Sequence, residues 1–416
     1  MNHPNPIALR TGIRQHRAQF LLLVLITAFI GSMVGMERPL IPQLAQSVFG
    51  LTSKTAMFSF IVAFGISKAL SNLVTGRLSD RWGRKRLLVA GWLFALPVPW
   101  ILMYADHWNW IIAGNILLGI KQGACWSSTQ VMKLDLASGR ERGLAMGVNE
   151  FAGYFAVGMV TLLVSWIAGT YGLRPYPFYA GVLFSLLGLL LSLFFTKDTR
   201  HLRVAEAAQP ADSFGERPAA RSPVPVITQA GTVNNMNDGM LWGLYPLVLA
   251  AKGFTIAEAG AIIALYPACW GIGQLFTGRL GDLLPKKHLL FAGMTLQAAT
   301  LAALPFVEER AVFVGLSVAL GIGKALVYPN FLAAIDESTA PTRRARAIGT
   351  FRFCRDMGYA LGAILTGTVA DAFGTEPAIL LVAGVTLASA VLIALLNSKV
   401  KTQKSKSLHV EPSSHL

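Results

Sequence analysis

The stretch "TGRLSDRWGRKRLL", residues 75–88, lies between two hydrophobic runs and sets five cations, Arg77, Arg81, Arg84, Lys85 and Arg86, around one acid, Asp80. A fainter copy, "TGRLGDLLPKKHLL", returns at residues 277–290. Gly76, Arg77, Leu78, Asp80, Lys85, Leu87 and Leu88 recur as Gly278, Arg279, Leu280, Asp282, Lys287, Leu289 and Leu290, each displaced by 202 positions. The same displacement carries "LGI" at 118–120 onto 320–322, Arg142 onto Arg344, Gly147 onto Gly349, and "IAGTYG" at 167–172 onto "VADAFG" at 369–374. One register held over about 100 residues marks a duplicated chain, two parallel halves of the kind that rock around a central site.

Composition says what the halves are made of. The chain has 416 residues, 54% hydrophobic and 14% charged, with a mean hydropathy of +0.53. A soluble domain carries about 25% charged residues. Apolar runs near the ~20 residues of a bilayer crossing recur along the whole length. They predict twelve helices, at 19–41, 55–76, 87–104, 108–131, 144–170, 176–196, 226–250, 255–277, 289–306, 310–335, 347–371 and 377–397. The expected fold is an all-α polytopic membrane protein, with twelve transmembrane helices in two pseudo-symmetric six-helix bundles. Residues 1–196 form the first bundle and 226–398 the second. Residues 197–225, polar and rich in Pro and Ala, form a flexible linker, and residues 399–416 a polar tail.

The first helix follows a basic arm (Arg10, Arg14, Arg17), but its apolar run is too long for a signal peptide and no small-residue cleavage site follows. Twelve crossings place both termini on one side. Nearly all loop cations share that side, whereas the opposite loops hold Lys54, Arg174, Lys252 and Arg310. By the positive-inside rule the basic side and both termini are cytoplasmic, which locates the chain in a cell inner (plasma) membrane. The net charge of +15 is explained by topology, so a nucleic-acid partner is not expected. Cys125, Cys269 and Cys354 fall far apart inside predicted helices and behave as small hydrophobes. The seven histidines show no metal-ligand spacing, and no P-loop is present, so neither a metal, a cofactor nor direct use of ATP is expected. An enzyme is not expected either, because clustered His, Cys or carboxylate ligands are missing.

"GRLSDRWGRKR" resembles the loop signature of the major facilitator superfamily, and the duplication and central linker agree with that resemblance. "PLIPQLA" at 39–45 is similar to the twelve-helix drug/proton antiporter branch. The fourth helix departs from that branch, with "KQG" at 121–123 lacking an Arg a turn before the Gln. So does the fifth, where "NEFAGYFAVG" at 149–158 lacks the Gly-Pro pair. The resemblance implies a gate. Gly76 would permit close helix approach, and Asp80 would accept hydrogen bonds from Arg84 or a helix N-terminus. Asp80, Arg84 and Asp135 would be mirrored by Asp282, Lys286 and Glu337, and such networks latch the cytoplasmic side when the other side is open.

Charges inside the membrane cost about 2.5–3.5 kcal/mol each on insertion scales, so each needs a partner or a function. The third, sixth, ninth and twelfth predicted helices contain none; in the superfamily those are peripheral. The others carry Glu37 and Arg38, Lys68, Lys121, Glu150, Asp238, Lys324, and Arg352, Arg355 and Asp356. Helix rise places Lys121 and Lys324 near mid-membrane on equivalent helices. These two lysines, with Arg355 and Asn235, are the candidate site for an anionic group, and Asp238 or Asp356 the candidate proton-coupling acid. Glu37–Arg38 and Glu150 read equally well as structural pairs. The expected function is secondary active transport of a small organic or anionic solute, linked to protons, by a monomer in the lipid bilayer. Multidrug efflux is the alternative, and a non-transporting receptor on the same fold a third reading.

Overall fold

The computed structural model describes residues 12–138, 141–202 and 222–396, apart from the side chains of Asp80, Asp282, Pro341, Thr342 and Ala345. Every regular element among the described residues is helical. The long helices of the first half are α1 (Arg17–Gly35), α2 (Lys54–Trp82), α3 (Arg84–Tyr104, broken before Pro97), α4 (Trp108–Leu136), α5 (Arg142–Tyr171) and α6 (Tyr176–Phe195). The second half follows with α7 (Val224–Ala251), α8 (Ile256–Leu283), α9 (Lys286–Phe306), α10 (Arg310–Ser338), α11 (Pro341–Phe373) and α12 (Thr375–Leu395). A short helix, Ile41–Ser47, follows α1 with Pro42 in its first turn, where a missing N–H costs nothing.

Nine of these helices are long and apolar enough to cross a membrane, counted over the described residues; the other three are α4, α7 and α11. Those three carry Lys121, Asp238, and the Arg352–Arg355–Asp356 group. Their lower hydropathy is the price of the polar centre.

The quoted stretch is not a loop. Helix α2 continues to Trp82 and α3 begins at Arg84, so Arg77 and Asp80 lie on a helix and the junction is Gly83 alone, at φ +87. A side chain is strained there, and glycine is not. Twenty-nine residues make α2 roughly 43 Å long, beyond the ~30 Å hydrocarbon layer, so its charged last turns clear the lipid.

Within each half the same pairs pack: α1 on α5 and α7 on α11, α2 on α4 and α8 on α10, α3 on α4 and α9 on α10. Small residues allow the close approach. A Cβ on Gly31 would lie 2.0 Å from Gly153 O, and one on Gly321 2.6 Å from Tyr266 O. The halves meet through α5 with α8 and through α2 with α11, contacts that exchange under the pseudo-twofold axis.

The two ends of that interface differ. One end holds the α2–α3 and α8–α9 junctions and is named the basic end; the other is the distal end. At the distal end Asp371 of α11 caps α2 of the opposite half, accepting from Ser53 Oγ (2.7 Å), Thr55 N (3.0 Å) and Lys54 N. A Cβ on Gly367 would lie 2.8 Å from Thr55 Cα. Contact persists inward to Gly65 against Ala360 and Gly158 against Ala264 and Ala268. Further on come Asn72 with Asp356 and Gly147 with Gln274. One or two turns further on the same helix faces, a Cβ on Gly76, Gly349, Gly143 or Gly278 would meet nothing within 4 Å among the described residues. The close approach expected at Gly76 is therefore not made, because the helices have diverged by that depth.

Candidate functional site

Two cavities of about 20 Å³ each, room for roughly one water apiece, lie where the halves last touch. The first is walled by rings from both halves, Trp126 and Tyr154 facing Trp242, Trp270 and Tyr359, with Gln122 and Lys68 as polar groups. The second, nearer the basic end, is polar: Asn72, Gln130, Arg352, Arg355 and Asp356 line it, and Lys68 borders both.

Lys68 Nζ of α2 lies 3.3 Å from Asp356 Oδ1 of α11, an ion pair between the halves. Asn72 donates to the other Asp356 oxygen, and Ser127 Oγ donates to Asn72 Oδ1 at 2.7 Å. Arg352 donates to Gln130 Oε1 at 2.5 Å, a second contact across the interface. Arg355 is buried and donates to Tyr328 Oη (3.2 Å) and Asn235 Oδ1 (3.4 Å), with its guanidinium 4.3 Å from the Tyr328 ring centre. Among the described residues no carboxylate lies within ion-pair distance of Arg355. Glu150 is buried beside this group, held by Asn149, Trp126 and Gln130. Toward the distal end, Arg38 pairs with Glu37 (3.2 Å) and lies 4.3 Å from the Phe64 ring and 4.4 Å from the Trp242 ring, both of which line the first cavity.

The sequence-derived candidates separate here. Arg355 and Asn235 meet, and Asp356 joins them. Lys121 lines neither cavity: its Nζ donates to Ile30 O of α1 at 2.9 Å and stands 4.9 Å from the Trp92 ring of α3. Lys324 is fully buried, 2.8 Å from Asp238 Oδ2 and donating to Asn234 O, while Tyr266 donates to the other Asp238 oxygen. The two lysines therefore do not face one ligand. The cause is register. Displacing Lys324 by 202 gives Gln122, not Lys121, and one residue turns a side chain about 100° around a helix. Gln122 points to the cavity and Lys121 to the neighbouring helices of its own half. Lys68, Gln122, Trp126 and Trp242 were not among the sequence candidates. The repeat register would have found Gln122, while the aromatic walls carry no period that marks them.

Of the gate residues, Arg84 Nε lies 3.5 Å from Asp135 Oδ2, and Lys286 Nζ 2.5 Å from Glu337 Oε1. The parts assigned to Asp80 and Asp282 rest on side chains outside the described residues. Residues 197–202, assigned to the linker by composition, lie instead against this region. Thr199 Oγ1 donates to Asp135 (2.6 Å), Lys85 N donates to Asp198 (3.1 Å), and Arg200 donates to Arg81 O (3.1 Å). Outside the spans, the Ser138 hydroxyl and the Ile13 and Ser138 amides hold the Glu141 carboxyl below the usual carboxylate range.

Two pseudo-symmetric helical halves, joined at one end, parted at the other and lined with charge between, define a membrane transporter. The chain belongs to the Major Facilitator Superfamily, whose family profile matches residues 21–233 and 227–414. It is similar to Multidrug resistance protein MdtG of Enterobacter lignolyticus, 24% identical over 380 residues that span 88% of each chain. The protein of the same name from Dickeya zeae is 24% identical over 340 residues, 80% of this chain and 81% of that one. Among solved structures, the human organic anion transporter MFSD10 (TETRAN) matches with a TM-score of 0.69 at 15% identity, over 91% of this chain and 99% of that one, a likeness of fold. The protein is a multi-pass membrane transporter of small molecules.

Proposed function

We propose that this transporter carries small organic anions, linked to protons, by alternating access around the Lys68–Asp356–Arg355 cluster. The observation that carries the reading is Arg355, a buried guanidinium held by neutral groups at the meeting of the halves. A buried cation without a counterion is costly, and an anionic ligand supplies one. Lys68, Arg352 and Arg355 outnumber Asp356 and Glu150, so at least one positive charge is in excess, which favours an anion over a cation. The basic end is cytoplasmic by the loop-charge rule, with both termini there, in a cell inner membrane. The structure then corresponds to a cytoplasm-open form, closed outside by Asp371 and Arg38. Each bundle acts as a rigid half within a monomer, residues 1–196 and 226–398, joined by the segment between them.

A second reading, efflux of aromatic cations, is favoured by the rings of the first cavity and by the similarity to multidrug resistance proteins. Proteoliposomes separate the two. Uptake of benzoate and carboxyfluorescein, compared with ethidium, is measured with and without a pH gradient. Gradient-driven movement of an anion supports the first reading, and movement of ethidium alone rejects it.

A further inference from the structure

Three acids lie buried at the centre, and they are held differently. Asp238 has Lys324 at 2.8 Å and Asp356 has Lys68 at 3.3 Å. Glu150 has no cation within ion-pair distance among the described residues. Its Oε1 accepts from Asn149 (2.8 Å), Trp126 (3.3 Å) and Gln130 (3.5 Å), all neutral, and its Oε2 is buried without a hydrogen-bond partner among the described residues. A carboxylate already paired with lysine must give up that partner before it takes a proton. One whose second oxygen is bare and buried gains by taking either a proton or a cation.

Such a cation lies one side chain away. Arg352 donates to Gln130 Oε1, and the Gln130 amide donates to Glu150. Arg352 is also the counterpart of Glu150 under the 202-residue displacement. The two stand at matching positions on α5 and α11, and rocking about the pseudo-twofold axis changes their separation. The charged and titratable groups that act on Glu150 from the packed helices are Arg352 and Arg355 of α11, Lys133 of α4, Tyr328 of α10 and Tyr154 of its own helix.

We infer that Glu150 is the residue that carries the transported proton, holding it in this form and exchanging it for the Arg352 guanidinium as the halves move. The inference rests on the reading of proton-linked transport. It assigns the proton to neither Asp238 nor Asp356, each of which already has a lysine at ion-pair distance.

Infrared difference spectra of the purified protein in nanodiscs, taken from acidic to mildly alkaline pH, test this without a transported solute. The wild type should show a protonated-carboxyl band that disappears as pH rises. Asp238→Asn and Asp356→Asn should keep it, and Glu150→Gln should lose it. Because the Gln variant could fail to fold, Glu150→Asp is measured as well. It keeps the carboxyl but draws it one methylene back from Trp126 and Gln130, so the band should remain with a displaced pH midpoint. A band that survives in Glu150→Gln, vanishes in either Asn variant, or keeps its midpoint in Glu150→Asp overturns the assignment to Glu150. A wild type with no titrating carboxyl at all overturns the proton-linked reading itself.

Discussion

The distal and basic ends of the α2–α11 contact are built from similar material, glycine, small polar residues and single acids, yet only one end is closed. At the distal end the backbone of α2 approaches Gly367 so closely that no side chain fits, and Asp371 supplies an anion to the N–H groups that open α2. At the basic end a Cβ on Gly76 or Gly349, on the same faces, would meet nothing within 4 Å among the described residues. A glycine in a membrane helix thus marks a place where helices can meet, while the conformation decides whether they do. Between the ends sit the ion pair of Lys68 with Asp356 and the uncompensated Arg355, at the depth where the contact gives out.

The comparison is broken most severely by adding bulk. Gly367→Leu should prevent distal closure and reduce transport to background, because its Cβ would overlap the Thr55 backbone. The usual overpacking scale of about 1–3 kcal/mol is then a lower bound. Gly76→Leu should leave thermal stability of the structure described here unchanged, measured as Tm in detergent. Equal damage from both substitutions would show that the ends are not different.

Removing the charge between the ends comes next. Arg355→Gln should weaken binding of an organic anion roughly tenfold to a hundredfold, since hydrogen bonds to charged groups contribute about 1.5–3 kcal/mol. Equilibrium binding of benzoate, at matched abundance, checks it. Asp371→Ala should have a smaller effect. An exposed, screened cap is worth about 0.5–1 kcal/mol, so the population with an open distal end should rise roughly two- to fivefold, read from the spin-label distance distribution between Thr52 and Thr368.

The smallest expected effect is at the basic end, where Glu141 ties Ile13 to Ser138. Its carboxyl is held below the ordinary glutamate range, so its contribution is fully present above that range and is lost as pH falls through the depressed value. Glu141→Gln should lower Tm slightly at neutral pH and not at all under strongly acidic conditions.

Much of this was legible in the sequence. Twelve apolar runs correspond to twelve helices, because a bilayer crossing needs length and hydropathy and little else. The charged centre was legible as well, since an ionisable residue in an apolar run stands out. What escaped was rotation and contact. Lys121 and Lys324 share a depth but differ by one residue of register, enough to send Lys121 into its own half. Asp198 reads from composition as part of a polar linker and Asp371 as the solvated end of a helix. Each is instead held by the backbone of a helix distant in sequence. The aromatic walls of the first cavity were hidden among many other rings, because ring content alone does not separate cavity from lipid contact.

The central claim is that the halves are shut at the distal end and parted at the basic end, and that the two ends move in opposition. Spin-label distances in nanodiscs test it, with Cys125, Cys269 and Cys354 replaced by Ala and label pairs at Thr52 with Thr368 and at Gly76 with Thr350. The account predicts a short, narrow distal distance and a longer basic one, with Asp371→Ala lengthening the first and shortening the second. Distances that move together, or a distal pair already as far apart as the basic pair, would contradict it.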